Sequence, residues 1–200
     1  MGSVYCEEEV SAETQAAIYR FLRFEVGFIE LISAYRRAMR SHRDTVEDPH
    51  SATLALLARL DDLDSTLSVD DLTAYVEAEA DAAMAVVRQA FLVSLFHFWE
   101  RQVLTWSGRE RYDHAAAMSW LGSNGGAPDA QLLRRLELAC HVAKHGPGSS
   151  SQKLLALEPD HFRASDDADG ECVLEITDDQ VESYFHAVFK SAPRTPQIDR

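Results

Sequence analysis

Residues 68–103, SVDDLTAYVEAEADAAMAVVRQAFLVSLFHFWERQV, decide the fold. Downstream of Ser68, the apolar side chains Val76, Ala80, Ala83, Val87, Phe91, Leu95, Phe98 and Val103 recur at the spacing of one helical face. Ser68 followed three residues later by Asp71 matches an N-terminal cap, so the run reads as a single helix of more than about thirty residues. A helix of that length needs other helices to cover its apolar face, and the flanking sequence supplies them.

Upstream, Ser11 can cap a helix that continues through Ile18, Phe21, Leu22, Phe28, Ile29 and Ile32 towards Arg40. A turn is expected over Asp44 to Ser51, around Pro49, followed by a helix from Ser51 to Leu63. Downstream, the glycines and Pro128 between Trp106 and Ala130 frame a short helix near Ala115 to Leu121. Asp129 then caps a helix that reaches His145, where Gly146-Pro147-Gly148 stops it. Ser149 to Ser151 extend that loop, a weak helix follows from Ser151 to Leu157, and Asp166 to Gly170 form a polar loop. Cys172 to Thr177 alternate like one short strand, and Asp178 to Lys190 form the last helix. The expected fold is an all-α bundle of five or six helices with at most one strand-like segment. Residues 1–191 form one domain in this reading, and 192–200 a flexible tail.

Composition narrows the functional classes. A formal net charge of −14 repels nucleic acid unless basic side chains gather on one surface, and neither the run Arg36, Arg37, Arg40, His42 and Arg43 nor the scattered Arg101, Arg109, Arg111, Arg134 and Arg135 forms a dense basic tract. The N-terminal residues lack a basic and apolar leader, and the apolar run near Phe91 meets His97, Glu100 and Arg101 short of the ~20 residues that span a bilayer. No membrane segment is expected, and three cysteines without C-x-x-C spacing fit reduced thiols, which together place the chain in the cytoplasm. Residues 122–126 lack the spacing and the Lys-Ser/Thr of a phosphate loop, and no cofactor is expected.

Candidate chemistry lies on two helices. On the helix ending at His145, Leu133, Leu136, Cys140 and Ala143 form an apolar stripe, while Arg134, Glu137, His141, Lys144 and His145 crowd another side. On the long helix, His97, Glu100 and Arg101 share a face, and burial would oblige them to find partners. Antiparallel packing of the two helices would bring both sets to one cleft. Three readings remain open there. His141, His145 and His97 with Glu100 and Arg134 could serve a metal-independent ribonuclease, the imidazoles moving protons and the guanidinium meeting phosphate charge. His97, Glu100, Glu137, His141 and His145 could instead ligate a metal. Or the same residues could be ion pairs and helix-end charges that hold the bundle together. His161 reads as a half-exposed packing residue, and Trp99, Trp106 and Trp120 as core or oligomer contacts.

Arg134 or Arg135, separated by six or five residues from His141 on a late helix, resembles the HEPN superfamily of small prokaryotic helical proteins, whose ribonucleolytic members carry Arg, four to six residues, then His. Lys144-His145-Gly146, together with Phe96-His97-Phe98-Trp99-Glu100, also looks like a group of bacterial helical proteins. The likeness covers the central half of the chain. Where the family commonly carries a polar residue after its Arg, this chain has Arg135 or Leu136. The resemblance implies a homodimer with both Arg–His pairs at a shared cleft, acting on RNA in toxin–antitoxin or phage-defence settings. A competing class is a non-catalytic protein whose acidic surface docks a basic protein partner.

Overall fold

A computed structural model describes residues 12–58, 68–164 and 172–193. Ser11, Leu60, Leu63, the Asp166 to Gly170 loop and residues 194–200 of the expected tail lie outside the described residues. The chain is an all-α bundle, with seven α-helices and one two-stranded antiparallel sheet among the described residues. Helix α1 spans Ala12–Glu47, α2 Pro49–Leu57, α3 Val69–Ser107, α4 His114–Ser123, α5 Ala130–His145, α6 Ser149–Leu157 and α7 Asp178–Ser191. Strands β1, Phe162–Ala164, and β2, Cys172–Leu174, pair between α6 and α7.

The expected all-α bundle is observed, and the described residues hold seven α-helices where five or six were expected, because the segment expected as a weak helix is the complete nine-residue α6. The turn expected over Asp44 to Ser51 narrows to Asp48 alone. Its carboxylate accepts from the Ser51 amide at 3.0 Å, and Pro49, with no amide hydrogen to leave unpaired, starts α2 at once. Ser149 to Ser151 are the first turn of α6 rather than loop, with Ser151 Oγ bonded to both the amide and the carbonyl of Gly148. The single strand expected at Cys172 has a partner, since the three residues of β1 are too few to show an alternation.

Helix α3 is the axis of the fold. Ser68 caps it as expected, accepting from the Asp71 amide at 3.1 Å, and Gly108 closes it with a left-handed φ of 67°. At 39 residues it is about 58 Å long. Helix α1 lies antiparallel along it, with Phe24 stacked on Phe98 and Tyr35 edge-on to Phe91. One 18-residue window of α3 reaches a mean hydropathy of 1.4, so by length and composition the helix is apolar enough to cross a membrane. No such segment was expected from the run near Phe91, but the apolar window extends upstream through the alanine-rich residues from Ala82, where Arg88 is the one charged side chain before His97. In the fold Leu92, Leu95, Phe96, Trp99 and Val103 of this helix are covered by protein.

Trp99 sits at the centre, fully buried, with Phe96 and Tyr112 against its ring. Its indole N–H donates to Ser191 Oγ at 2.9 Å, and Ser191 in turn donates to the Val188 carbonyl, so α3 is fastened to the end of α7. The loop before α5 reaches the same place. Ala127 donates its amide to the Lys190 carbonyl, and Gly126 passes so close to the Ser191 carbonyl oxygen that a Cβ there would overlap it. At the other end of α7, Asp178 accepts from Tyr35, Arg88 and Arg43, while Arg36 grips Glu182 with two bonds of 2.8 Å. The basic run noted around Arg36 and Arg43 is thus partly spent on ion pairs between α1 and α7.

Candidate functional site at the end of helix α5

Asp129 caps α5 by accepting from the Leu132 amide at 2.9 Å, and the helix ends where Gly146 turns with φ at 72°, a backbone region that L side chains rarely enter. The apolar stripe lies as the spacing predicts, with Leu133, Leu136 and Cys140 fully buried. Burial pushes the Cys140 thiol up to about 11, so it is a packed side chain and not a nucleophile. The polar residues on the rest of the helix separate into three groups along its length.

At the N-terminal end, Arg134 donates to Glu137 at 2.6 Å. Glu137 is only 8% exposed, and its second neighbour is His114 Nδ1 at 3.5 Å. The His114 ring is fixed from its other side, where Nε2 meets the Ala130 carbonyl at 2.9 Å, and Tyr112 reaches Nδ1 at 3.0 Å. Burial pushes the Glu137 carboxyl upward, but hydrogen bonds from His114 and Arg134, with their charge, outweigh it and hold the group below the usual range. A carboxyl depressed by folding adds stability above its unfolded value, near 4.5, and loses it as pH falls through the lower folded value. Glu137→Gln is accordingly expected to lower the unfolding midpoint at pH 7, with the gap to wild type closing in acid-unfolding curves below about pH 4.

Neighbouring Arg135 turns the other way and pairs with Glu158 at 2.6 Å. Beyond it, His161 is buried rather than half-exposed, because its ring lies between the Tyr184 hydroxyl at 2.9 Å and Gln180 at 3.3 Å. Burial lowers its pKa and favours the neutral ring.

In the second group, His97 on α3 bridges Glu100 and Lys144. Its Nδ1 lies 3.1 Å from Glu100 Oε2, and its Nε2 lies 3.3 Å from Lys144 Nζ. Arg101, expected beside them, is exposed and makes no ion pair among the described residues. The third group is His141 and His145, their ring centres 6.5 Å apart. They line an open cleft of about 320 Å³ whose far wall is Gly146 to Ser150. His141 rests edge-on against Phe96, which fixes one side of its ring and leaves the other towards the cleft.

The two helices therefore meet as anticipated, but the side chains do not form one constellation. His97, Glu100, Glu137, His141 and His145 are divided among the three groups, and no three His, Cys, Asp or Glu side chains among the described residues are placed to hold a metal ion. Comparison with protein-family models, curated proteins and solved structures finds no match. The HEPN-like likeness accordingly rests on the spacing of Arg134, Arg135 and His141 alone. Two participants were not identified in the sequence. His114, the first residue of α4, reaches Glu137 and is itself held by Tyr112 from the turn before it; Gly108 and the Asp113 cap mark that turn in the sequence but not the contact across to α5.

Proposed function

We propose that the cleft at the end of α5 is a HEPN-like, metal-independent endoribonuclease site. The observation that carries the reading is the pair His141 and His145, side by side in a concave and solvent-open place with no carboxylate against either ring among the described residues. Two imidazoles at that separation suit transesterification. One accepts the proton of the RNA 2′-hydroxyl as O2′ bonds to phosphorus, and the other gives a proton to O5′ as the P–O5′ bond breaks. The products are a 2′,3′-cyclic phosphate and a 5′-hydroxyl. Arg134 lies two turns back on the same helix, its side chain 40% exposed although Glu137 holds it.

The test is incubation of a mixed RNA pool with the protein in EDTA. Fragmentation by wild type supports the reading, and an intact pool removes it. The reading includes a homodimer, so sedimentation velocity that returns a monomer would take that part away.

One observation favours a second reading, a non-catalytic partner for a basic protein. Arg134 and Arg135 both end on carboxylates, at 2.6 Å each, so neither guanidinium offers free charge to a phosphate. In that case the net charge of −14 is the working surface, and the same pool stays intact.

A further inference from the structure

We propose that Lys144, and not Arg134 or Arg135, is the cation that meets RNA phosphate at this site. The inference rests on the ribonuclease reading for the place of the substrate, but it makes its own prediction about binding. A group that stabilises a phosphate must bring charge that is not already matched. Arg134 is matched by Glu137 and Arg135 by Glu158. Lys144 is exposed and makes no ion pair with a carboxylate among the described residues, and its polar neighbour is an imidazole nitrogen.

The hydrogen bonding orders this arrangement. An ammonium group only donates, so His97 Nε2 facing Lys144 at 3.3 Å must accept. The ring proton then lies on Nδ1 and is donated to Glu100, 3.1 Å away. Glu100 thus fixes the tautomer of His97, and His97 anchors one of the three Lys144 protons and leaves two free. Glu100 lies one ring beyond, so it orients the ammonium without capping it. Lys144 is three residues after His141 on α5, the spacing that puts neighbours on one helical face, and directly precedes His145. Its ammonium points to His97 on α3, outside the residues that line the cleft, so the phosphate it would meet lies beside the two imidazoles and not between them. RNA carries a phosphate charge at every nucleotide, and the free Lys144 protons are offered to the one that lies beside the cleft. His97 and Glu100 are positioning residues in this arrangement.

The experiment measures binding apart from cleavage. The full chain is titrated against a short fluorescent single-stranded RNA carrying 2′-O-methyl groups, which cannot undergo the transesterification. The same chain is assayed in parallel on unmodified RNA. Lys144→Ala is expected to weaken binding about tenfold and to reduce the slope of log affinity against log salt by about one, with Lys144→Arg restoring both. His97→Ala is expected to fall between wild type and Lys144→Ala, because the charge remains while its anchor is gone. Thermal midpoints equal to wild type show that the variants are folded.

Equal binding by wild type and Lys144→Ala, or no binding by wild type, overturns the inference. A wild type that binds through Lys144 but leaves unmodified RNA intact keeps the inference and overturns the ribonuclease reading instead.

Discussion

Trp99→Ala is expected to destabilise the fold by about 3–5 kcal/mol, the range for emptying a large aromatic site in a core that relaxes only in part. Trp99 is the largest of the fully buried side chains and stands where α3, the α3–α4 turn and α7 meet. Removing the indole exposes the buried faces of Phe96 and Tyr112 to a void, and it leaves Ser191 without the donor that ties α7 to α3. Trp99→Phe separates these effects. It refills part of the volume and loses the indole N–H, so about 1–2 kcal/mol is expected from the lost bond to Ser191, which keeps its own bond to Val188, and from the smaller ring. Urea unfolding at neutral pH measures both. Similar losses for the two variants would mean that the hydrogen bond, and not the packing, dominates at this position.

Under the proposed ribonuclease function, His141→Ala is expected to lower RNA cleavage by about 10²–10⁴-fold, the span usual for losing a positioned proton-transfer group. His145→Ala should act on the same scale, and the double variant should lose little more than either single one, because the two rings serve one displacement. Stability should change little. His141 is half-exposed and His145 exposed, and neither anchors another buried polar group among the described residues. That combination separates a catalytic from a structural role, since a residue that merely holds the helix would lower activity and thermal midpoint together. Arg134→Ala is a contrasting variant, because it leaves the buried carboxylate of Glu137 with His114 as its remaining neighbour and so registers in stability as well.

Much of the fold was legible because periodicity and caps agreed. The long helix was set by its 3.6-residue repeat and by Ser68, and α5 by Asp129 at one end and Gly146 at the other. The misreadings fell where a local signal was short. A lone Asp48 followed by Pro49 was enough to separate two helices, where the expected turn was eight residues wide. Strand β1, three residues long, has no period to detect. The polar residues of α5 lie off its apolar stripe, yet Glu137 among them is buried, and how they pair was not legible. Charge on one face says which residues can meet, but the choice between Glu137 and open solvent for Arg134 depends on His114 and Tyr112, which arrive from another element. His161 was misjudged for the same reason, since its burial is supplied by Tyr184 and Gln180 of α7.

In the proposed function, two imidazoles at the end of α5 cleave RNA by attack of its own 2′-hydroxyl. The measurement that reaches it most directly is mass spectrometry of the fragment ends formed by the wild-type chain in EDTA. A 2′,3′-cyclic phosphate on one fragment and a 5′-hydroxyl on the other, both absent with His141→Ala, is the predicted result. Intact RNA, or fragments that end in a 3′-hydroxyl and a 5′-phosphate, would contradict the account.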